Sequence, residues 1–231
     1  MFVPLARQLA PRRVVALDQR AHGDSDGGGP LSPQDYVADA AALLRQLGLG
    51  PVVVVGHSMG GVIAYLLAAQ YPQLVAGMVI EDIGVVTHEG EVAHPVLDVG
   101  DWPRRAQSLA ELRAAIESRG IPDASYFLDS AVADTRGWRL LFDPGDMMSS
   151  QQALLGDYWR DWLASTCPAR LLRAEHSTLL SRGHAQEMVR HRPNTGLVEF
   201  SGCGHWIHDD DPAGYARAVT VFLAEVDAAC A

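Results

Sequence analysis

One segment constrains the fold of this chain more than any other: residues 56–60 read Gly-His-Ser-Met-Gly. The four residues before it are all valine, which is typical of a strand buried on both faces of a parallel sheet. Residues 59–70, which begin with the last two residues of this segment, are almost wholly apolar and predict a buried helix. A passage from strand to helix in so few residues forces Ser58 into strained backbone angles, and the flanking glycines leave room for it.

Segments of two kinds alternate along the rest of the chain. Short runs rich in branched aliphatic residues predict strands at residues 14–17, 77–80, 170–172 and 197–200. Apolar residues at helical spacing predict helices at residues 2–9, 33–47, 108–119 and 212–228. This alternation predicts an α/β fold with a doubly wound, mostly parallel sheet. Residues 84–166 contain no strand candidate, so they are predicted to form a helical insertion within one domain that covers residues 1–231.

Composition excludes several classes of function. The chain has 18 basic and 28 acidic residues and a net charge of −10, which argues against nucleic acid or an anionic membrane as a partner. Its three cysteines are irregularly spaced and predict neither a disulfide framework nor a zinc cluster. No signal peptide and no apolar run long enough to span a bilayer is evident, so a cytoplasmic protein is predicted.

Ser58 requires a base and an acid if it is a nucleophile, because a serine hydroxyl is a poor nucleophile at neutral pH. Among nine histidines, His205 is the best placed, since it follows the strand predicted at residues 197–200 through a glycine-containing loop. Asp82 follows the strand predicted at residues 77–80 and is the preferred acid; Glu175 is the alternative. The Met59 N–H, at the start of the helix, is predicted to donate to a developing oxyanion.

Large aromatic side chains are concentrated in the insertion. They either pack the insertion onto the domain or line an apolar pocket. The residues predicted to contact substrate are Trp102, Trp138, Phe142, Trp159 and Trp206.

Three motifs together resemble the α/β-hydrolase family, and the resemblance extends over essentially the whole chain. They are Asp-Gln-Arg-Ala-His-Gly-Asp-Ser at residues 18–25, Gly-His-Ser-Met-Gly-Gly at 56–61 and Gly-Cys-Gly-His-Trp at 202–206. The resemblance implies that Ser58 is the nucleophile, that His205 is the base and that residues 84–166 form a lid. Most members carry the acid after the strand that follows the lid, where this chain has Ser177 in place of aspartate. A branch that includes small-acyl esterases has the acid in an Asp-Ile motif, which Asp82-Ile83 resembles.

The beginning of the chain departs from the family pattern. Members open with additional strands and a His-Gly loop that completes the oxyanion hole, and no such loop precedes the first predicted helix. We expect that the true start lies upstream of Met1; the alternative is a real truncation that weakens or abolishes activity.

The sequence therefore predicts a serine hydrolase that cleaves an ester or lactone with an apolar moiety through an acyl-enzyme. It predicts a small-molecule substrate and no cofactor or metal. A catalytically silent binding protein is the alternative from another class. A carbon–carbon bond hydrolase, a thioesterase or an acyltransferase would use the same residues.

Overall fold

The computed structural model describes residues 2–121 and 123–230; Met1, on which the expected upstream start depends, lies outside them. The chain divides into two compact units. One contains residues 16–31 and 96–153, and the other contains residues 2–15, 32–95 and those from 154 onward. The single domain over residues 1–231 and the insertion over residues 84–166 stay predictions.

The larger unit is built on a parallel sheet, as the alternation of segments predicts. In chain order, the strands of the described residues are β1 (Val52–His57), β2 (Val75–Glu81), β3 (Val132–Asp134), β4 (Gly137–Arg139), β5 (Ala169–Ala174) and β6 (Thr195–Phe200). The sheet has the order β1-β2-β5-β6, and every neighbouring pair is parallel. Strands β2 and β5 are the inner strands and are almost wholly buried.

Helices follow or precede each of these strands. Those of the described residues are α1 (Val3–Gln8), α2 (Pro33–Gln46), α3 (Met59–Gln70), α4 (Leu109–Glu117), α5 (Ser125–Leu128), α6 (Pro144–Ala153), α7 (Trp159–Ala164), α8 (Arg182–His191), α9 (Ile207–Asp210) and α10 (Pro212–Cys230). A short 3₁₀ helix covers Pro72–Leu74. Among the described residues, no helix combines the length and apolar character that crossing a membrane requires.

Two predicted helices are confirmed in position, and both bury apolar side chains. Helix α3 covers residues 59–70 as predicted, and its side chains from Val62 to Ala68 are buried. Helix α10 buries an apolar stripe against the sheet residues Val79 and Leu172. The stripe consists of Tyr215, Val219, Phe222, Leu223 and Val226.

The strand predicted at residues 14–17 is wrong. These residues form no regular secondary structure and pair with no described strand, and Val14, Val15 and Leu17 are 41%, 42% and 38% exposed. A run of β-branched residues forms a strand only where a neighbouring strand supplies hydrogen-bond partners for its backbone. No described strand does so for residues 14–17.

The prediction that residues 84–166 lack strands is also wrong. Strands β3 and β4 form a short antiparallel hairpin. Each has three residues, too few for a visible alternation of apolar and polar positions. The hairpin is stabilised at its turn, where Gly137 has a φ of 108° and the Asp134 carboxylate accepts a hydrogen bond from the Arg136 N–H.

The packing of α10 predicts opposite outcomes for two neighbouring residues. Phe222 is 1% exposed, so Phe222→Ala is expected to lower the free energy of unfolding by about 3–5 kcal/mol. Val221 is 55% exposed, so Val221→Ala is expected to change it by less than about 0.5 kcal/mol. Urea denaturation of the two variants checks this, and equal losses would contradict the packing described here.

Candidate active site

The candidate site is assembled where three strands of one sheet end. Ser58 follows β1, Asp82 follows β2, and His205 lies in the loop after β6. The ladder aligns these ends, because His57 pairs with Glu81 and Glu81 pairs with Leu172. Side chains that leave parallel strands at their carboxyl ends meet at one edge of the sheet.

Ser58 lies in a strained turn, as the sequence predicts. Its φ of 51° and ψ of −119° are rare for a residue with a side chain. The turn is held from both sides, because Ser58 donates its N–H to the Glu81 carbonyl oxygen (3.0 Å) and accepts from the Gly61 N–H (2.8 Å). Ser58 is half-buried, so its hydroxyl group is not sealed inside the protein.

Glycine is required at the entrance of this turn. A Cβ at residue 56 would lie 2.2 Å from the carbonyl oxygen of Gly60 and 2.7 Å from the amide nitrogen of Gly61. Both contacts are with backbone, which cannot rotate away. A Cβ at residue 60 would meet nothing within 4 Å.

Asp82 is a fully buried carboxylate with three hydrogen-bond donors around it. Oδ1 accepts from the Ala174 N–H (2.9 Å), and Oδ2 accepts from the Ser177 hydroxyl (2.7 Å). The third partner is His205, whose Nδ1 lies 2.9 Å from Oδ2. A carboxylate held by several donors keeps a fixed orientation.

His205 is oriented by this carboxylate. Its side chain is 16% exposed, which leaves it within reach of solvent and ligand. Because Nδ1 donates to Asp82, the tautomer that this contact assigns has its lone pair on Nε2. A histidine arranged in this way is able to accept a proton at Nε2.

Sequence reasoning did not foresee the role of Ser177. The family resemblance places the acid of most members at this residue, and here the Ser177 hydroxyl donates to the Asp82 carboxylate. Glu175, the alternative acid, accepts the Gly202 N–H on Oε2 (2.8 Å) and so holds the loop that leads to His205. Among the described contacts, only Asp82 bonds the His205 ring nitrogen.

The five aromatic residues predicted to contact substrate lie in different places. Trp206 adjoins His205, with ring centroids 5.6 Å apart, whereas Trp159 packs edge-on against His184 and His191 of α8. The other three belong to the unit with residues 16–31 and 96–153: Trp102 is buried against Phe127, Trp138 lies in β4, and Phe142 lines a cleft of about 310 Å³. Their role in binding stays a prediction.

A second polar cluster lies buried beside His205, and sequence reasoning missed it. Glu81 Oε1 accepts from the His208 ring Nδ1 (2.7 Å) and from the His208 backbone N–H (3.1 Å). The His57 Nε2 lies 2.9 Å from the His205 carbonyl oxygen and donates to it. Burial, and secondarily the neighbouring His205 and His208, hold the pKa of His57 well below its usual value, so this imidazole is neutral.

This cluster also contains the residue types of a metal site. His57, Glu81 and His208 bring potential ligand atoms within 4.8 Å of one another. The Glu81 and His208 groups bond each other, however, which is the arrangement of a hydrogen-bonded pair.

Comparisons with known proteins agree on the family. The model of the alpha/beta hydrolase family matches residues 1–218. The sn-1-specific diacylglycerol lipase ABHD11 of Mus musculus is 32% identical over 94% of this chain and 73% of its own length. The 2-(acetamidomethylene)succinate hydrolase of Mesorhizobium japonicum is 28% identical over 96% of this chain and 83% of its own length.

Solved structures give the same result. A crystal structure of E-2-(acetamidomethylene)succinate hydrolase superposes with a TM-score of 0.83 and 26% identity, covering 96% of this chain and 86% of that one. An alpha/beta hydrolase from Novosphingobium aromaticivorans superposes with a TM-score of 0.79 and 28% identity, covering 96% of this chain and 84% of that one.

The strained turn predicts a contrast between two of its glycines. Gly56→Ala is expected to destabilise the protein by at least about 2 kcal/mol, because the new methyl group overlaps backbone atoms that cannot move aside. Gly60→Ala is expected to be neutral or slightly stabilising, since the site is open and alanine favours helix. Thermal unfolding of both variants checks this; a Gly56→Ala protein as stable as wild type would contradict the close approach at this turn.

Proposed function

The chain belongs to the alpha/beta hydrolase family, and from this membership and the geometry of the site we propose that it is a serine hydrolase. In this proposal Ser58 is the nucleophile, His205 is the general base and acid, and Asp82 orients His205. The substrate is a small molecule with an ester or lactone bond and an apolar moiety, cleaved through an acyl-enzyme intermediate.

One observation carries the proposal: a fully buried Asp82 carboxylate lies 2.9 Å from Nδ1 of a partly exposed histidine. Burying a carboxylate is costly unless its partners compensate, and Asp82 has two further donors besides His205. A structural cap would not need a histidine that reaches solvent. The arrangement is the one that a base acting on a serine requires.

Acylation follows from these roles. The Ser58 Oγ attacks the substrate carbonyl carbon while His205 Nε2 accepts the hydroxyl proton. The resulting imidazolium is stabilised by the Asp82 carboxylate, which keeps its charge. The oxyanion accepts a hydrogen bond from the Met59 N–H, because the first N–H groups of a helix have no partner within it. When the tetrahedral intermediate collapses, the bond to the leaving alkoxy group breaks and His205 returns the proton to that oxygen.

Deacylation repeats the sequence with water. His205 takes a proton from a water molecule, which attacks the acyl carbon, and Ser58 leaves as its hydroxyl after His205 gives the proton back. The products are a carboxylic acid and an alcohol, or one hydroxy acid from a lactone. No electrons are exchanged, and the steps require neither a metal nor a cofactor.

The choice of substrate rests on the relatives and on the aromatic residues. The mouse relative is named as a lipase specific for the sn-1 position of diacylglycerol, an ester. Trp206, whose ring lies 5.6 Å from that of His205, is proposed to form part of the apolar wall for the substrate. The assignments of Trp102, Trp138, Phe142 and Trp159 to substrate binding belong to this proposal as well.

A fluorophosphonate probe tests whether Ser58 is an activated nucleophile. Wild type is expected to be labelled with a stoichiometry near one per chain, and Ser58→Ala is expected not to be labelled. Ser149→Ala serves as a control because Ser149 is exposed on α6, and it is expected to label like wild type. A folded wild-type chain that takes up no probe would support the silent binding protein instead.

The identity of the acid is tested by a matched pair of amides. Asp82→Asn is expected to lower kcat for a p-nitrophenyl ester by about 10³- to 10⁴-fold, because the amide no longer holds the productive histidine tautomer. Glu175→Gln is expected to lower kcat by no more than about fivefold, which corresponds to about 1 kcal/mol. The loss is small because the amide oxygen of the variant side chain still accepts a hydrogen bond from the Gly202 N–H. The reverse order of the two losses would move the acid to Glu175.

A further inference from the structure

We infer that Glu81 is a positioning residue that sets the placement of His205 relative to Ser58, acting through His208. The inference rests on the proposed function, because it concerns the geometry of the same site. Glu81 itself touches neither the proposed nucleophile's hydroxyl group nor the His205 ring among the described contacts.

Glu81 is bonded to both halves of the site. Its carbonyl oxygen accepts the Ser58 N–H (3.0 Å) and so fixes the backbone of the strained turn. Its side-chain Oε1 accepts two hydrogen bonds from His208, at 2.7 Å and 3.1 Å. His208 lies three positions after His205, in the first turn of α9, so the two belong to one short segment.

Strand β2 therefore ends in two successive carboxylates that each hold one histidine. Asp82 holds the His205 ring, and Glu81 holds the His208 ring and backbone. The Asp82 contact fixes the His205 ring at Nδ1. The Glu81 contacts fix the same segment at a second point, three residues further along, so they help to determine the direction of the His205 ring.

The loop that leads to this segment contains two glycines and is held from outside, since the Glu175 carboxylate accepts the Gly202 N–H. Gly202 has a φ of 72°, and Gly204 follows two residues later. The His205 carbonyl oxygen is held by the His57 Nε2–H, which comes from the end of β1. The centroid of the His57 ring lies 4.4 Å from that of His205 and 5.0 Å from that of His208, so His57 packs against both rings.

A contribution to stability does not by itself account for the buried Glu81–His208 pair. Glu81 is 0% exposed and His208 is 8% exposed, so both groups have given up their hydration. Buried, hydrogen-bonded polar pairs can often be replaced by apolar side chains of similar volume without loss of stability. A requirement for fixed direction at the neighbouring His205 accounts for a polar pair at this position.

The test compares Glu81→Gln, His208→Gln and the double variant with Glu225→Gln as the control. Glu225 pairs with Arg170 at the opposite end of β5 and is 53% exposed in its side chain, so its amide variant is expected to behave as wild type. We measure kcat and KM for a p-nitrophenyl ester, the rate and final extent of fluorophosphonate labelling, and the thermal midpoint.

Glu81→Gln and His208→Gln are each expected to lower kcat by about 10- to 100-fold with KM nearly unchanged, because a small misdirection of the base affects the reaction more than binding. Labelling should reach the wild-type extent at a lower rate. The double variant should lose no more than the worse single variant, since both changes break one interaction.

Several results would overturn the inference. They are wild-type kcat in both single variants together with a lowered thermal midpoint, losses that multiply in the double variant, or activity that a chelator removes and added Zn²⁺ restores. The last result would make His57, Glu81 and His208 a metal site.

A spectroscopic arm separates failure of this inference from failure of the proposed function. Downfield imidazole N–H resonances of His205 and His208 are identified by their loss in His205→Gln and His208→Gln. In Glu81→Gln, the His205 resonance is expected to broaden through faster exchange with water, whether or not the enzyme turns over an ester. An unchanged His205 resonance would overturn the inference, whereas a wild type that neither labels nor hydrolyses esters would overturn the proposed function alone.

Discussion

The register between β1 and β2 is the constraint on which the rest of the site depends. It places His57 opposite Glu81, and the ladder continues one residue further, where Ser58 donates its N–H to the Glu81 carbonyl oxygen. The same ladder continues on the other side, where Asp82 donates its N–H to Leu172 of β5. A slip of one residue would exchange the faces on which these side chains lie. The inner strands β2 and β5, which are almost wholly buried, hold the register in place.

The first residue after each of the strands β1 and β2 has a positive φ. Ser58 and Asp82 each have a φ of 51°, in the region that disfavours side chains. Such residues cost on the order of 1–3 kcal/mol each and persist only where the surroundings determine them. Here the backbone N–H groups of both residues donate to the neighbouring strand. In addition, the Gly61 N–H donates to the Ser58 carbonyl oxygen. The Asp82 carboxylate is bonded by Ala174, Ser177 and His205.

Sequence alone locates the parts of this site that depend on local pattern. Helix α3 and the apolar stripe of α10 are predictable because their apolar residues recur over three turns or more. Ser58, Asp82 and His205 are predictable because each follows a strand or a strand-like run. What escapes prediction depends on distant partners. Residues 14–17 have the composition of a strand but no described neighbour to pair with, whereas β3 and β4 have a neighbour but almost no pattern. Ser177 is 95 positions from its partner Asp82, and His208 is 127 positions from its partner Glu81. Periodicity does not reveal contacts over such separations.

The central claim is that acyl transfer passes through Ser58, and a trapped intermediate tests it most directly. A p-nitrophenyl ester is mixed with enzyme, the reaction is quenched in acid during the first turnover, and the acylated peptide is mapped by mass spectrometry. The proposed mechanism predicts one acyl group per chain, attached to Ser58 within the Gly56–Gly61 turn. Release of p-nitrophenol without an adduct, or an adduct on another residue such as Cys203, would contradict it.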